Sequence, residues 1–399
     1  MNHILKQLSP HVAVLAITLS ALVVYGTPTA ASAAGTVTLT FDDGNPSQYE
    51  IPAQIMKAGA QTATFYINSG LLGTDVLWYM TWDQVVDLHK SGFEIAGHTL
   101  NHIELPTVNN ATKITEINLD YLNFVAHGIK PTNFAAPFGA YDNTTIPLVA
   151  LKYNSHRAFA NQGLNVWPYN KYLIYVRYVT NQTSLEQVKT WVDEAVAQDG
   201  WLVVVFHEVL PVVDPTDDYS WETEKFQGFI DYLNALGIKA KTVQQVLSGF
   251  TNVVTNSSFE SGLTGWTTDN PTKVTTVANS RGSYPTPLRT LRMTGSAKTA
   301  HLFGQKIPVS FGATYGFRAY TDSRNLNAGE VGFYIDEYDE AGNWNSGKWL
   351  GGFTNKNVID KSFVYTPSWA DVKTAAIQVY MTAGSKGNVF IDNIEFFAR

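Results

Sequence analysis

The chain of 399 residues contains no cysteine. That absence removes thiolate nucleophiles, thiolate metal sites and disulfide staples together. Basic charge is also scarce: 27 Lys and Arg stand against 34 Asp and Glu, with no basic block anywhere. Such a balance argues against nucleic acid as a partner. Past residue 25 no apolar run is long enough to span a bilayer. The N-terminal run, Val12 to Tyr25, falls short of the ~20 residues a membrane-crossing helix needs. It follows His3 and Lys6 and precedes Ala31-Ser32-Ala33, the layout of an export signal. Residues 1–34 therefore read as a signal peptide cleaved near Ala33, which makes the product secreted or cell-surface, with no stable membrane span. An uncleaved anchor is the competing reading.

What is present divides into two textures. Residues 35–250 alternate short apolar runs with helical patterns. Val37, Leu39 and Phe41 alternate as in a strand, and Asn45-Pro46 offers a cap and first turn for a helix ending near Gly59. Further helices are expected at Trp82–His89, Thr112–Ala126, Ser184–Gln198 and Trp221–Leu236. Trp201 to Phe206 is continuously apolar, suited to a strand buried on both faces. About seven β–α units point to a barrel-like α/β domain. Residues 251–399 lose helical periodicity and become rich in Gly, Thr, Asn and aromatics, with strand-like runs at sandwich-like intervals.

Three motifs fall where barrel strands should end. Asp42-Asp43-Gly44 follows the first strand, and the glycine permits a sharp turn. Adjacent strand residues point to opposite faces, so two functional carboxylates here require a turn that splays them. One carboxylate can then bind a metal while the other serves as a base. A solvated turn is the default for the tripeptide alone. His98 and His102 follow the second motif's strand, and their i, i+4 spacing lets them share a helical face and one ion. Position 99 is Thr rather than Glu, so the base lies elsewhere, and Asp42 is available. His207 closes the apolar strand; an imidazole there is a natural proton donor, although core histidines are commoner.

Thr40-Phe41-Asp42-Asp43-Gly44, Gly97-His98-Thr99-Leu100-Asn101-His102, Ala136-Pro137-Phe138-Gly139 and Val205-Phe206-His207 occur in the order seen in polysaccharide deacetylases. Residues 36–248 thus resemble the NodB-homology family, carbohydrate esterase family 4. The resemblance implies a distorted (β/α)7 barrel holding a divalent metal, usually zinc, with water activated at the metal as nucleophile. It implies Asp42 as base, Asp43, His98 and His102 as metal ligands, His207 as acid and the Phe138 N–H as oxyanion donor. Two positions depart from the pattern. The arginine that begins the third motif is replaced by Ala135, and an Asp-x-x-Asp-Trp segment has no match between residues 155 and 175. Arg177, on the strand Ile174–Val179, is the expected substitute for the arginine; a surface ion pair is its other reading.

Asn256-Ser257-Ser258-Phe259-Glu260 and the closing Phe390-Ile391-Asp392-Asn393-Ile394 resemble the ends of carbohydrate-binding jelly-roll modules. An all-β jelly-roll sandwich over residues 251–399 is expected, with Trp266 in its core. Trp344, Trp349, Tyr338 and Tyr320 are candidates for stacking on sugar rings, and Glu260 with Asp392 for a structural calcium. The expected partner is a polysaccharide: chitin, poly-N-acetylglucosamine or peptidoglycan. Rival readings are a non-catalytic carbohydrate-binding protein, suggested by Ala135 and the missing Asp-x-x-Asp-Trp segment, and an O-acetyl xylan esterase. A glycosidase fits worst, because adjacent Asp42 and Asp43 cannot flank a sugar at the ~5–10 Å such enzymes use.

Overall fold

The computed structural model describes residues 35–142, 144–213, 215–278, 289–354 and 358–399. The proposed signal peptide lies outside them. In chain order the first half forms β1 (Thr36–Asp42), α1 (Pro46–Glu50), α2 (Pro52–Ala58), β2 (Thr64–Ile67), α3 (Trp82–Lys90) and β3 (Glu94–Gly97). There follow α4 (Asn110–Ala126), β4 (Asn133–Ala135), α5 (Thr145–Ala150), β5 (Ser155–Gln162), β6 (Ile174–Tyr178) and α6 (Leu185–Ala197). The set closes with β7 (Trp201–Phe206), a short pair β8 (Glu208–Leu210) and β9 (Ser220–Glu222), α7 (Thr223–Ala235) and α8 (Val243–Ser248). Strands β1 to β7 pair in chain order, all parallel, and β7 returns to β1 to close a seven-stranded barrel. Among the described residues no helix is long and apolar enough to cross a membrane.

Alternation along each strand sorts the barrel's two faces. Val37, Leu39, Phe41, Phe65, Ile95, Val204 and Phe206 join the core under the outer helices. Tyr66, Ala96, Ala135, Val203 and Val205 belong to a second cluster inside the barrel, on the face that Asp42 shares. Burial on both sides explains why β7 is apolar throughout.

Two local expectations need correction. The helix expected from Asn45 to Gly59 is split at Ile51, because Pro52 has no N–H to donate and disfavours helical backbone in the residue before it. His98 and His102 lie in the loop after β3 rather than on a helix. They converge because Thr99 (φ 65°) and His102 (φ 56°) adopt left-handed backbone, which folds the loop back on itself.

The remainder is an antiparallel β-sandwich. One sheet orders β10 (Thr267–Thr268), β13 (Ala300–Pro308), β18 (Thr374–Met381), β15 (Val331–Tyr338) and β16 (Trp344–Phe353). The other orders β11 (Val274–Ala278), β12 (Arg289–Thr294), β19 (Lys386–Ala398), β14 (Tyr315–Ala328) and β17 (Val358–Tyr365). Trp266 sits in the core between them. Tyr320, expected as a sugar-stacking ring, is instead 3% exposed and clusters with Phe390, so it offers no face to a ligand.

The sandwich meets the barrel at the N-terminal ends of its strands. Phe397 packs with Trp167 and Phe250, and the same cluster contains Tyr169 and Trp201. Glu395 accepts from Lys171 at 2.6 Å and pairs with Arg318 at 2.8 Å. The opposite end of the barrel stays open.

Candidate active site

At that open end the motifs converge. Asp42 is the last residue of β1, His98 follows β3, Ala136 follows β4 and His207 follows β7. They line two adjoining lobes of one cleft, about 250 and 230 Å3, which share Asp42, Asp43, His102, His207 and Tyr219. Trp78, Tyr79, Glu208 and Asp217 border the first lobe; Phe138 and Gly139 border the second.

The turn that splays the two carboxylates begins at Asp43, whose φ of 76° is left-handed. Asp42 stays in the strand and points into the barrel, 3% exposed. Asp43 turns outward. Its Oδ1 lies 3.2 Å from His98 Nε2 and 3.0 Å from His102 Nε2. These three side chains form the one group of three metal-donor residues found among the described residues. Burial works against ionising Asp43, but hydrogen bonds to His102 and His98, with their charge, hold its pKa well below the usual carboxylate range. Burial likewise opposes a charged His102, and Asp43 outweighs it and holds that imidazole above its ordinary value.

The surroundings of His98 test whether a metal fits. Its Nδ1 faces the Ala135 carbonyl at 2.8 Å, and a carbonyl only accepts, so Nδ1 carries the proton. In the neutral ring the Nε2 lone pair then faces a carboxylate oxygen, two acceptors in contact. A cation between them resolves that contact. One carboxylate and two imidazoles suit zinc or a similar divalent ion.

The guanidinium beside Asp42 comes from Arg157, not Arg177. Arg157 donates to Asp42 Oδ2 at 2.6 Å, with both side chains buried and the Tyr66 ring 4.7 Å away. Arg157 on β5 is the direct register partner of Ala135 on β4. The charge missing at Ala135 has moved to the neighbouring strand. Arg177 pairs with Glu194 at 2.5 Å and lies over Trp191, because its side chain points to the helices outside the barrel. Nothing in the sequence states which strand position faces Ala135. The other Asp42 oxygen, Oδ1, has no hydrogen-bond partner among the described residues.

Gln48 ties the site's two ends together, donating to the backbone carbonyls of Asp42 and of His207, the latter at 2.8 Å. Burial lowers the pKa of His207, opposed by the charges of Asp42 and Asp43. The Tyr219 ring stands 4.8 Å from it. Phe138 adopts left-handed backbone (φ 59°) within the turn Pro137–Gly139 and is 63% exposed, its ring 4.7 Å from that of His102.

Residues 30–154 match the polysaccharide deacetylase family. The match covers the first part of the barrel, from β1 through α5, and stops short of β5. Two curated relatives come from Arthroderma benhamiae. One, named "Probable peptidoglycan-N-acetylglucosamine deacetylase", is 33% identical over 125 residues, 30% of this chain and 28% of its own length. The other, a chitin deacetylase, is 32% identical over 124 residues, 30% of this chain and 32% of its own. The match thus spans less than a third of either relative. Among solved structures, a family 4 carbohydrate esterase from Streptomyces lividans is 17% identical, covering 52% of this chain and 91% of its own at a TM-score of 0.38.

Proposed function

We propose that the protein is a secreted, metal-dependent deacetylase that hydrolyses N-acetyl groups on an amino-sugar polysaccharide such as chitin, poly-N-acetylglucosamine or peptidoglycan. The observation that carries this reading is one cleft holding the Asp43, His98 and His102 group beside Asp42 and His207. When bound, a divalent ion supplies Lewis acidity, lowering the pKa of water and polarising a carbonyl. Asp42, gripped through Oδ2 by Arg157, uses Oδ1 to take the proton of the attacking water. The Phe138 N–H faces the developing oxyanion. His207 gives its proton to the departing amine; burial makes its imidazolium a stronger acid. The buried arginine answers one of the two grounds for a decayed, non-catalytic barrel, Ala135; the missing Asp-x-x-Asp-Trp segment is the other.

Acetate release from the three polymers, with and without a chelator, tests the proposal. Release should stop on chelation and return with zinc. Asp42→Asn should lose at least ~10²-fold in rate while retaining metal. Bound metal with no acetate from any amino sugar, but release from acetylated xylan, would transfer the reading to an ester substrate.

The sandwich is proposed as a carbohydrate-binding module. Trp344 and Trp349 are 61% and 41% exposed on β16. Trp349 stands 4.7 Å from Tyr334, which is 5.9 Å from Tyr380, itself 5.4 Å from His301, a row of rings crossing four strands. Trp349 lies over Gly332, where any Cβ would collide with its ring. Flat apolar faces of this kind match the C–H face of a pyranose. Retention on insoluble polysaccharide, lost in Trp349→Ala, is the test. A calcium shared by Glu260 and Asp392 is a separate proposal, checked by a calcium-dependent rise in melting temperature.

A further inference from the structure

Helix α4 buries one stripe, Lys113, Glu116, Ile117, Asp120 and Phe124, at the spacing of a single helical face. Three of the five are charged, where a core-facing stripe is ordinarily apolar. Buried charge persists only where it is paired and hydrogen-bonded. Each of the three finds its partners in a different loop at the mouth of the barrel.

Asp120 reaches the loop after β2, accepting from Ser69 N–H at 3.1 Å, and also accepts from Tyr153 Oη at 3.1 Å. The His98 backbone N–H faces the same carboxylate. Glu116 holds the loop after β3 in a two-pronged grip: Asn101 N–H donates at 2.9 Å and Asn101 Nδ2 at 2.8 Å, one to each oxygen. Lys113 reaches the loop after β4, donating to Asp142 at 2.5 Å and Thr144 at 2.8 Å. That loop begins at the Phe138 turn.

We infer that this charged stripe positions the site: Glu116 and Asp120 are positioning residues for the metal-binding histidines, and Lys113 for the Phe138 turn. The inference rests on the deacetylase reading for what those loops do. Its physical ground is strain. Thr99 and His102 both hold left-handed backbone, which β-branched and bulky residues adopt only where the surroundings impose it. Asn101 lies between them, so the Glu116 grip falls at the centre of the strained segment. Close packing under the loop confirms the constraint: a Cβ on Gly97 would lie 2.3 Å from Tyr153 Oη and 2.7 Å from Asp120 Oδ2.

The inference separates two readouts. Glu116→Gln offers one oxygen where two donors arrive, and Asp120→Asn likewise loses an acceptor. Each should weaken zinc binding, measured by competition with a chelator at 25 °C, by ~10- to 100-fold. Lys113→Met should leave zinc affinity within about twofold and lower kcat instead, because it touches the oxyanion side only. Melting curves report whether each variant is folded. Should a helix variant fail to fold, Asn101→Ala removes one prong from the exposed side and should weaken zinc binding less, in the same direction. Zinc affinity unchanged in Glu116→Gln, Asp120→Asn and Asn101→Ala, with the parent chain binding zinc, overturns the inference alone. A parent chain that binds no zinc overturns it together with the metal reading. Weakened zinc binding in Lys113→Met as large as in the other two would reduce the stripe to a general support and overturn the division of roles.

Discussion

The mouth and the floor of one barrel treat polar groups in opposite ways. At the floor, Glu94 is buried at the start of β3, and its carboxylate accepts from Thr64 Oγ1 at 2.8 Å, Gln244 N–H at 2.9 Å and Asn133 Nδ2. Phe397 from the sandwich packs with Trp167, Tyr169 and Phe250 over that end. At the mouth, Asp42 Oδ1 is buried without a hydrogen-bond partner among the described residues, and Asp43, Thr99, His102 and Phe138 all hold left-handed backbone. The floor has left-handed residues too, Ala60 and Asp199, and a Trp167 Nε1 without a partner among the described residues. Those lie in separate turns, whereas the groups of the mouth meet in one cleft, as the proposed chemistry requires. The floor holds the domain together. Mutations at the two ends should therefore fail in different ways.

The largest effect belongs to Arg157. Replacing it by Met strands the Asp42 carboxylate in the barrel interior, which should cost about 3–5 kcal/mol of stability and lower turnover by ~10²-fold. Denaturant unfolding and acetate release measure both. Near-parent turnover would show that Asp42 works without the guanidinium. The register pairing sharpens the test: Arg157→Ala combined with Ala135→Arg returns the charge to the facing position on β4 and should recover part of the lost rate.

Phe397 probes the floor. It is buried, 5.9 Å from Trp167 and 5.3 Å from Phe250, with the Arg318 guanidinium 4.5 Å from its ring. Phe397→Ala should cost about 3–5 kcal/mol while leaving kcat per folded molecule on a soluble oligosaccharide unchanged. A fall in kcat without loss of stability would break the division between the two ends.

His156, buried on the outward face of β5, gives a pH-dependent effect of about 3 kcal/mol. Its Nδ1 donates to the Tyr172 carbonyl at 3.0 Å. Burial, partly opposed by that bond, lowers its pKa from 6.5 to about 4. The folded state favours the neutral ring, so this contribution is complete above pH ~6.5, falls as the pH drops towards ~4 and is flat below. Asp120, pushed up to about 7 by burial, slopes the other way. Unfolding curves of the parent and of His156→Asn, which keeps a donor near Nδ1, isolate the His156 term. Parallel curves between pH 7 and 4.5 would refute it.

Most of the barrel was legible because its signals are local: alternation in β1, the apolar run of β7 and the amphipathic helices each declare themselves within a few residues. The cleft's composition was legible because motif order carries it. Register was not. Ala135 and Arg157 face each other through a pairing between strands 22 residues apart in sequence, and no local pattern records it. The loop carrying His98 and His102 was misread for a related reason, since its left-handed turns are imposed by contacts with α4 rather than by glycine.

Arg177 supplies the smallest expected effect and the cleanest contrast with Arg157. The two arginines lie on neighbouring barrel strands, β5 and β6, but Arg177 faces outward, where its partner Glu194 is partly exposed. A solvent-screened pair of that kind contributes about 0–1 kcal/mol. Its stacking on Trp191 adds a similar amount. Arg177→Ala should therefore shift the melting temperature by no more than a few degrees and leave turnover and zinc content at parent values. A large loss of activity in Arg177→Ala, with Arg157→Met near normal, would mean that the outward-facing strand position carries the base's support and that the inward geometry of Arg157 is only structural.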